Sequence, residues 1–188
     1  SGLVAAIYAK KRYDEVILVE KNEICGKKIL ATGNGRCNFW NEDQSIEHYR
    51  GSEMKKIEEV LSAKNKEEAL KFFEKIGIKA KIKNGYYYPF SNQASSMQRA
   101  LILEATKQKV NIKTSEEVID IVKKGDKFEI ITKSKEKILA DLVILATGSK
   151  AAPKTGSDGI GYELCKKFGH SINKQMPALV QLKANGKF

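Results

Sequence analysis

Ser1-Gly-Leu-Val-Ala-Ala-Ile-Tyr-Ala-Lys-Lys-Arg12, followed by Asp14-Glu-Val-Ile-Leu-Val-Glu20, is the stretch that decides the fold. The first part reads as a helix with small residues on one side. The second is a short apolar run closed by an acid, the pattern of a strand buried in a parallel sheet. A helix that passes at once into such a strand is half of a βαβ unit. The other half, a first strand and its glycine turn, is expected ahead of Ser1.

Beyond it, residues 21–45 form a long polar stretch with several glycines. A loop of that length is usually functional or disordered, and its varied content favours function. Residues 53–76 predict two helices, with Met54, Ile57, Val60 and Leu61, then Ala69, Phe72, Phe73 and Ile76, at helical spacing. Gly77 is their stop. Ile78 to Ile82 and Gly85 to Phe90 predict a hairpin. A helix from Ser95 to about Lys109 carries Met97, Leu101, Ile102 and Ala105 on one face.

Val110 to Lys113 then reads as a short strand. Glu117–Lys123, Lys127–Lys133 and Glu136–Leu139 predict three antiparallel strands, turned at Gly125-Asp126 and Ser134-Lys135. Asp141-Leu-Val-Ile-Leu-Ala-Thr-Gly148 predicts another buried strand ending in a tight turn. Gly161 to Phe168 is helical with Gly169 as its stop, and residues 178–182 alternate like the opening of a strand. This order implies an α/β, Rossmann-like dinucleotide-binding domain with a parallel sheet and an inserted antiparallel β-meander.

Composition narrows the function. Of the 188 residues, 41% are hydrophobic and 30% charged, which excludes wholesale disorder. The longest unbroken apolar run, Leu3 to Ala9, is far short of the roughly 20 residues of a membrane-spanning helix. Lys+Arg is 34 and Asp+Glu 23, a net charge of +11, a balance that can mark nucleic-acid or anionic-lipid binding. Only Arg12, Arg36, Arg50 and Arg99 are arginines, and the lysines are interleaved with Glu, as in Lys133-Ser-Lys-Glu-Lys137. Scattered lysine reads as a solvated surface, so neither nucleic acid nor membrane is expected as a partner. Three cysteines, an odd number, argue against a disulfide framework and for a reducing cytoplasmic setting. No Cys/His cluster has zinc-ligand spacing, so no metal is expected.

Three constellations could carry chemistry. Gly2 suits the last glycine of a dinucleotide fingerprint, where the backbone approaches a pyrophosphate at a helix N-terminus. Glu20, at the end of the second strand, stands where an acid takes ribose hydroxyls, although an ordinary helix and a surface Glu would look the same. Gly26-Lys-Lys-Ile-Leu-Ala-Thr-Gly-Asn-Gly-Arg-Cys-Asn38 concentrates glycine, amide and cation in one loop. Gly33 and Gly35 let N–H groups converge on an anion, and Lys27, Lys28 and Arg36 add charge. Such a loop fits a pyrophosphate or the polar edge of a flavin, or is merely mobile surface. Finally, Ala146-Thr-Gly148 ends a strand where backbone can pass close to a dinucleotide, and Pro153 to Gly161 is a second glycine-rich loop.

In this order the motifs resemble the two-dinucleotide-binding-domain flavoproteins, and more narrowly the BaiN-type family, described as NAD(P)/FAD-dependent or aminoacetone-oxidase-like oxidoreductases. The resemblance is carried by Ser1–Ala9, Val19-Glu-Lys-Asn22, Gly26–Asn38, Tyr88-Pro-Phe-Ser-Asn-Gln-Ala-Ser-Ser96 and Ala146-Thr-Gly-Ser-Lys-Ala-Ala-Pro-Lys-Thr-Gly-Ser-Asp-Gly159. It implies a cytoplasmic FAD-dependent oxidoreductase acting on a small molecule by hydride transfer through the flavin. A reduced nicotinamide would be the donor in a reductase, and oxygen the acceptor in an oxidase. FAD would lie along Gly2, Glu20 and Lys21, then Lys28, Thr32, Gly33, Gly35, Arg36, Cys37 and Asn38, with Val118 touching adenine through its backbone and Ala146, Thr147 and Gly148 beside the cofactor. The same resemblance makes residues 1–188 part of an FAD-binding domain, with an inserted substrate domain beginning near 175–188. Ser149 stands where such proteins often have another glycine.

The remaining candidates are weaker. Cys25 and Cys37 are too far apart for the close redox pair of flavin disulfide reductases. Cys37 suits a small packing residue, and Cys165 a helix face turned to the core. Tyr86, Tyr87, Tyr88 and Phe90 fit a hairpin packed on the domain better than a substrate site. His48 and His170 read as surface residues, and no catalytic acid or base can be named. Two other readings stay open: a basic nucleic-acid-binding module, which would need clustered cations with base-stacking aromatics, and a non-catalytic flavin-binding protein.

Overall fold

The computed structural model describes residues 1–62 and 66–176. They belong to two units, Ser1–Glu117 and Val118–Phe188. In the first, the chain runs through α1 (Gly2–Ala9), β1 (Ile17–Val19), α2 (Lys27–Ala31), a 3-10 turn (Thr32–Gly35), β2 (Trp40–Asn41) and a second 3-10 turn (Ile46–His48). It continues through α3 (Met54–Ser62), α4 (Lys66–Lys75), the hairpin β3 (Ala80–Lys83) and β4 (Tyr86–Pro89), α5 (Ala94–Lys107) and β5 (Asn111–Lys113).

The expected parallel pairing is present. β1 and β5 run parallel, with Ile17 opposite Asn111, Leu18 opposite Ile112 and Val19 opposite Lys113. The core beside them forms because α5 repeats apolar residues at helical spacing: Ala94, Met97, Leu101 and Ala105 are all buried. Its C-terminal half packs with Leu3, Ala6 and Ile7 of α1 and with Cys25, and Phe72 and Phe73 of α4 lean on that cluster. Its N-terminal half packs with Cys37 and Ile78. The hairpin forms as predicted, Asn84 and Gly85 turning it with positive φ.

Residues 21–45 differ from the single loop that the sequence suggests. They contain α2, two 3-10 turns and β2, and β2 adds an edge to the hairpin in the order β2-β4-β3. The sequence hides this because the elements are too short to show a period; α2 is five residues and β2 two.

The second unit opens with the meander β6 (Val118–Lys124), β7 (Lys127–Thr132) and β8 (Lys137–Ala140), then a 3-10 turn (Pro153–Thr155) and α6 (Ile160–Lys167). The register places Ile121 opposite Ile130, and Ile130 opposite Ile138, so one row of isoleucines crosses all three strands. All three are buried, and a row of β-branched neighbours is what stabilises such a sheet. Lys167 of α6 pairs with Asp120 of β6 at 2.6 Å, and Phe168 meets Phe128 edge-on.

One expected strand is not formed. Residues 141–148 carry no strand assignment, and Leu142 and Ile144 are 65% and 67% exposed. A strand needs a hydrogen-bonding neighbour, and none of the described strands pairs with this segment. The strand suggested at 178–182, and most of the region where an inserted domain was expected to begin, lie outside the described residues.

Gly26, at φ +77°, caps α2 where an added Cβ would sit 3.2 Å from Ile29 Cδ1 and 3.3 Å from Gln98 Cγ. Gly26→Ala is expected to lower the unfolding free energy by about 1–3 kcal/mol, from left-handed strain plus crowding. Urea denaturation at neutral pH measures it.

Candidate functional site

Parallel β1 ends at Val19, so Glu20 is delivered to its carboxyl end, the end at which α/β sheets bind ligands. The carboxylate is fixed from its own chain. Asn22 donates to Glu20 Oε1 twice, from its backbone N–H at 2.9 Å and from Nδ2 at 2.6 Å. Glu20 is itself anchored to β5, its N–H bonding to Lys113 O at 2.8 Å. Lys21 turns elsewhere, its ammonium lying 3.9 Å from Glu117 Oε1.

The first turn of α1 meets the same place. Gly2 is the first residue of that helix, after Ser1. Leu3 Cδ1 is 3.5 Å from where a Cβ on Gly26 would lie. Cys25 shares a core cluster with Leu3, and its thiol feels the charge of Glu20. The helix start and the beginning of the glycine loop are therefore neighbours, and the Glu20 charge reaches that loop at Cys25. Gln98 of α5 holds that beginning in place, donating from Nε2 to Cys25 O at 2.7 Å.

The loop then winds left-handed. Gly33, Asn34 and Gly35 have φ of 54°, 54° and 81°, and Cys37 follows at 60°. Thr32 Oγ1 donates to Ile29 O at 2.6 Å, and Cys37 N–H returns to Thr32 O at 3.0 Å, closing the turn. At Gly33 a Cβ would be 3.0 Å from Asn38 N and 3.5 Å from Tyr88 Cε1, so only glycine fits without displacing backbone. Arg36 folds back over its own loop, Nε donating to Gly33 O at 3.1 Å, with its guanidinium 5.2 Å from the Tyr88 ring centre. Cys37 is buried beside Ala94 and Met97, which makes it the packing residue expected. Lys28 is half-buried on α2. The predicted positions up to Asn38 thus all lie in the first unit, with Lys21 turned away toward Glu117.

The other predicted positions lie in the second unit. Val118 opens β6, opposite Thr132. Thr147 is held from behind: Ser157, itself buried, donates from Oγ to Thr147 O at 2.7 Å. Gly161 of α6 lies against Thr147 so closely that a Cβ there would strike Thr147 Oγ1. Gly148 takes a positive φ of 77°. The second glycine loop therefore positions the Ala-Thr-Gly turn.

Sequence reading missed Asn22 and Gln98, both through contacts rather than composition. An amide two residues after an acid is a recognisable local brace, whereas Gln98 on a helix gives no such signal. It also missed a polar cleft of about 600 Å³ lined by Asn41, Glu42, Asp43, His48, Asn84, Gly85 and Tyr86. There His48 Nε2 lies 2.7 Å from Asp43 Oδ2, and Tyr87 donates its hydroxyl to Glu42 Oε1 at 2.8 Å. These partners hold both carboxyls below the usual range: Glu42 through Tyr87 and then Lys66, Asp43 through His48 and then the Ser45 N–H. Among the described residues no group of three or more His, Cys, Asp or Glu is set to hold a metal ion. No helix of the described residues is long and apolar enough to cross a membrane.

Cys25 offers a test of the packing. Burial, and then the Glu20 charge, push its thiol up to about 11. The buried neutral thiol stabilises the fold fully below about pH 9, and that contribution is lost as pH rises toward 11. In Cys25→Ala the unfolding free energy is expected to fall less steeply across that window, as read by urea titrations at several pH values.

A family model described as the HI0933-like protein Rossmann domain matches residues 1–183. The chain is 43% identical over 185 residues to a 3-dehydro-bile acid delta(4,6)-reductase of Clostridium scindens, covering 97% of this chain and 45% of that protein. It is 24% identical over 180 residues to a ribosomal RNA dihydrouridine synthase of Escherichia coli, covering 96% of this chain and 45% of that protein. The chain thus spans about half the length of these curated relatives. A crystal structure of Thermovibrio ammonificans THI4 matches 73% of this chain and 49% of its own at 16% identity, with a TM-score of 0.44.

Proposed function

The chain belongs to the HI0933-like Rossmann-domain family, and from that premise we propose that it forms FAD-binding structure of a flavin-dependent oxidoreductase. The observation that carries the reading is the convergence of the α1 first turn, the braced Glu20 and the start of the left-handed glycine loop. The donor set fits the cofactor. First-turn N–H groups and loop glycines suit a pyrophosphate, and a carboxylate at the strand end suits ribose hydroxyls.

In this proposal Gly2 and the first turn of α1 meet the pyrophosphate, and Glu20 takes the adenosine ribose, with Lys21 beside it. Lys28, Thr32, Gly33, Gly35, Arg36, Cys37 and Asn38 line the pyrophosphate and flavin. The backbone of Val118 meets adenine, and Ala146, Thr147 and Gly148 pass beside the cofactor. Bound FAD supplies the redox chemistry by hydride transfer, a reduced nicotinamide being the electron donor. The protein's part is position and charge: Asn22 fixes the acid, Gln98 fixes the loop entrance, and Ser157 fixes the Ala-Thr-Gly turn.

The curated relatives are named for two kinds of substrate, a 3-dehydro-bile acid and ribosomal RNA. The higher identity favours a small-molecule substrate and a reductase. The full-length protein should show a two-band flavin spectrum that NADH or NADPH bleaches. A colourless protein that takes up no added FAD overturns the proposal, and a yellow one that neither nucleotide reduces leaves only a passive flavin binder.

Glu20→Gln removes the charge that strengthens hydrogen bonds to ribose, which is worth about 1.5–3 kcal/mol. FAD Kd is expected to rise by about tenfold or more, while FMN, which has no adenosine ribose, binds unchanged. Flavin fluorescence titration reads both.

A further inference from the structure

The hairpin carries a surface that the flavin reading does not use. β3 and β4 pair antiparallel with Lys81 opposite Tyr88 and Lys83 opposite Tyr86. The ladder continues one step further, where Phe90 N–H donates to Lys79 O at 2.8 Å. Directly opposite residues share a face and lie close together. Lys79, Lys81 and Lys83 therefore stand on one face, each beside an aromatic ring. All three lysines are exposed, and no ion pair joins any of them to a described residue. Tyr86 is 44% and Phe90 71% exposed, while the alternate residue Tyr87 is buried on the other face. Arg36, over Tyr88, adds a fourth cation at the glycine loop.

The sequence-based expectation against nucleic acid rested on lysines that look dispersed along the chain. Strand register gathers these three. Lysine on an edge strand such as β3 also discourages stray strand pairing, which explains the cations but not the ring opposite each. Cations interleaved with exposed rings are what a single-stranded polynucleotide requires: phosphates track the charge and bases stack on the aromatics. Successive same-face positions on a strand are about 6.7 Å apart. That is about twice the roughly 3.4 Å rise of stacked duplex bases, so bases can seat on consecutive rings only when the strand is unstacked. At one end Glu42 and Asp43, beside Tyr86 in the polar cleft, turn phosphate away. The other rings lead toward Gly33, since Tyr88 Cε1 is 3.5 Å from the position its Cβ would take.

We propose that the Lys79/Phe90, Lys81/Tyr88 and Lys83/Tyr86 face of the hairpin is a docking surface for single-stranded nucleic acid. This proposal does not rest on the flavin reading. The test is fluorescence anisotropy on the full-length protein with a labelled 12-nucleotide oligo(U), an oligo(dT) of equal length, a duplex of equal length and inorganic polyphosphate. Single strands of either sugar are expected to bind at least tenfold tighter than duplex. Phe90→Ala should weaken single-strand binding about tenfold and leave polyphosphate binding unchanged, because stacking is what is lost. The triple variant Lys79→Gln, Lys81→Gln, Lys83→Gln should weaken both and flatten the dependence of log K on log salt by about 2. Circular dichroism checks that each variant is folded. If the triple variant does not fold, Phe90→Ala, a change at an exposed ring, decides alone. No single-strand binding, equal binding to duplex and polyphosphate, or an affinity indifferent to Phe90→Ala would each overturn the proposal.

Discussion

Helix α5 is the constraint on which the first unit depends. Its buried stripe, Ala94, Met97, Leu101 and Ala105, faces two clusters at once. Small residues at both ends of the stripe let neighbours approach closely, while Met97 and Leu101 fill the middle. One half of the helix packs against α1, so the first turn of α1 has a fixed position. The other half packs under Cys37, so the far end of the glycine loop is fixed as well. Gln98, between them, bonds the loop entrance. A loop with several left-handed residues has a high conformational entropy when free. Pinning it at both ends to one rigid helix gives it a defined shape.

The second unit solves the same problem differently. Its Ala-Thr-Gly turn is not pinned by a long helix stripe. Ser157 and Gly161, from one short loop and the helix it enters, approach the turn as closely as atoms allow. A side chain at 161 would exclude Thr147, so the two glycine-bearing segments are matched to each other as much as to any ligand.

Legibility followed the range of the signal. The meander was readable because turn residues and alternation are local, and Gly125 indeed turns β6 into β7. The parallel strand was readable because an apolar run closed by an acid is local too. The division of residues 21–45 into α2, 3-10 turns and β2 was not, since each piece is shorter than one period of its own pattern. Residues 141–148 misled for the opposite reason. Their apolar run is a strong strand signal, but pairing is a property of the neighbour. The candidate site shows the same split: Glu20 and the glycines could be named from sequence, while Asn22, Gln98 and Ser157 act through contacts. The lysines of β3 were counted as charge, but that Lys81 and Lys83 stand opposite Tyr88 and Tyr86 appears only once β3 meets β4.

The open segment at 141–148 has a consequence for handling the protein as a material. Leu142-Val-Ile-Leu-Ala-Thr147 is six residues long, β-prone and uncharged, with Leu142, Ile144 and Leu145 turned to solvent. Such a stretch, paired with none of the described strands, is a template for strand addition between molecules. The net charge of +11 holds molecules apart at low ionic strength, but salt screens it within about 10 Å at 0.1 M. Solutions of residues 1–188 should therefore be colloidally stable in dilute buffer and should thicken into β-rich aggregate as salt is raised.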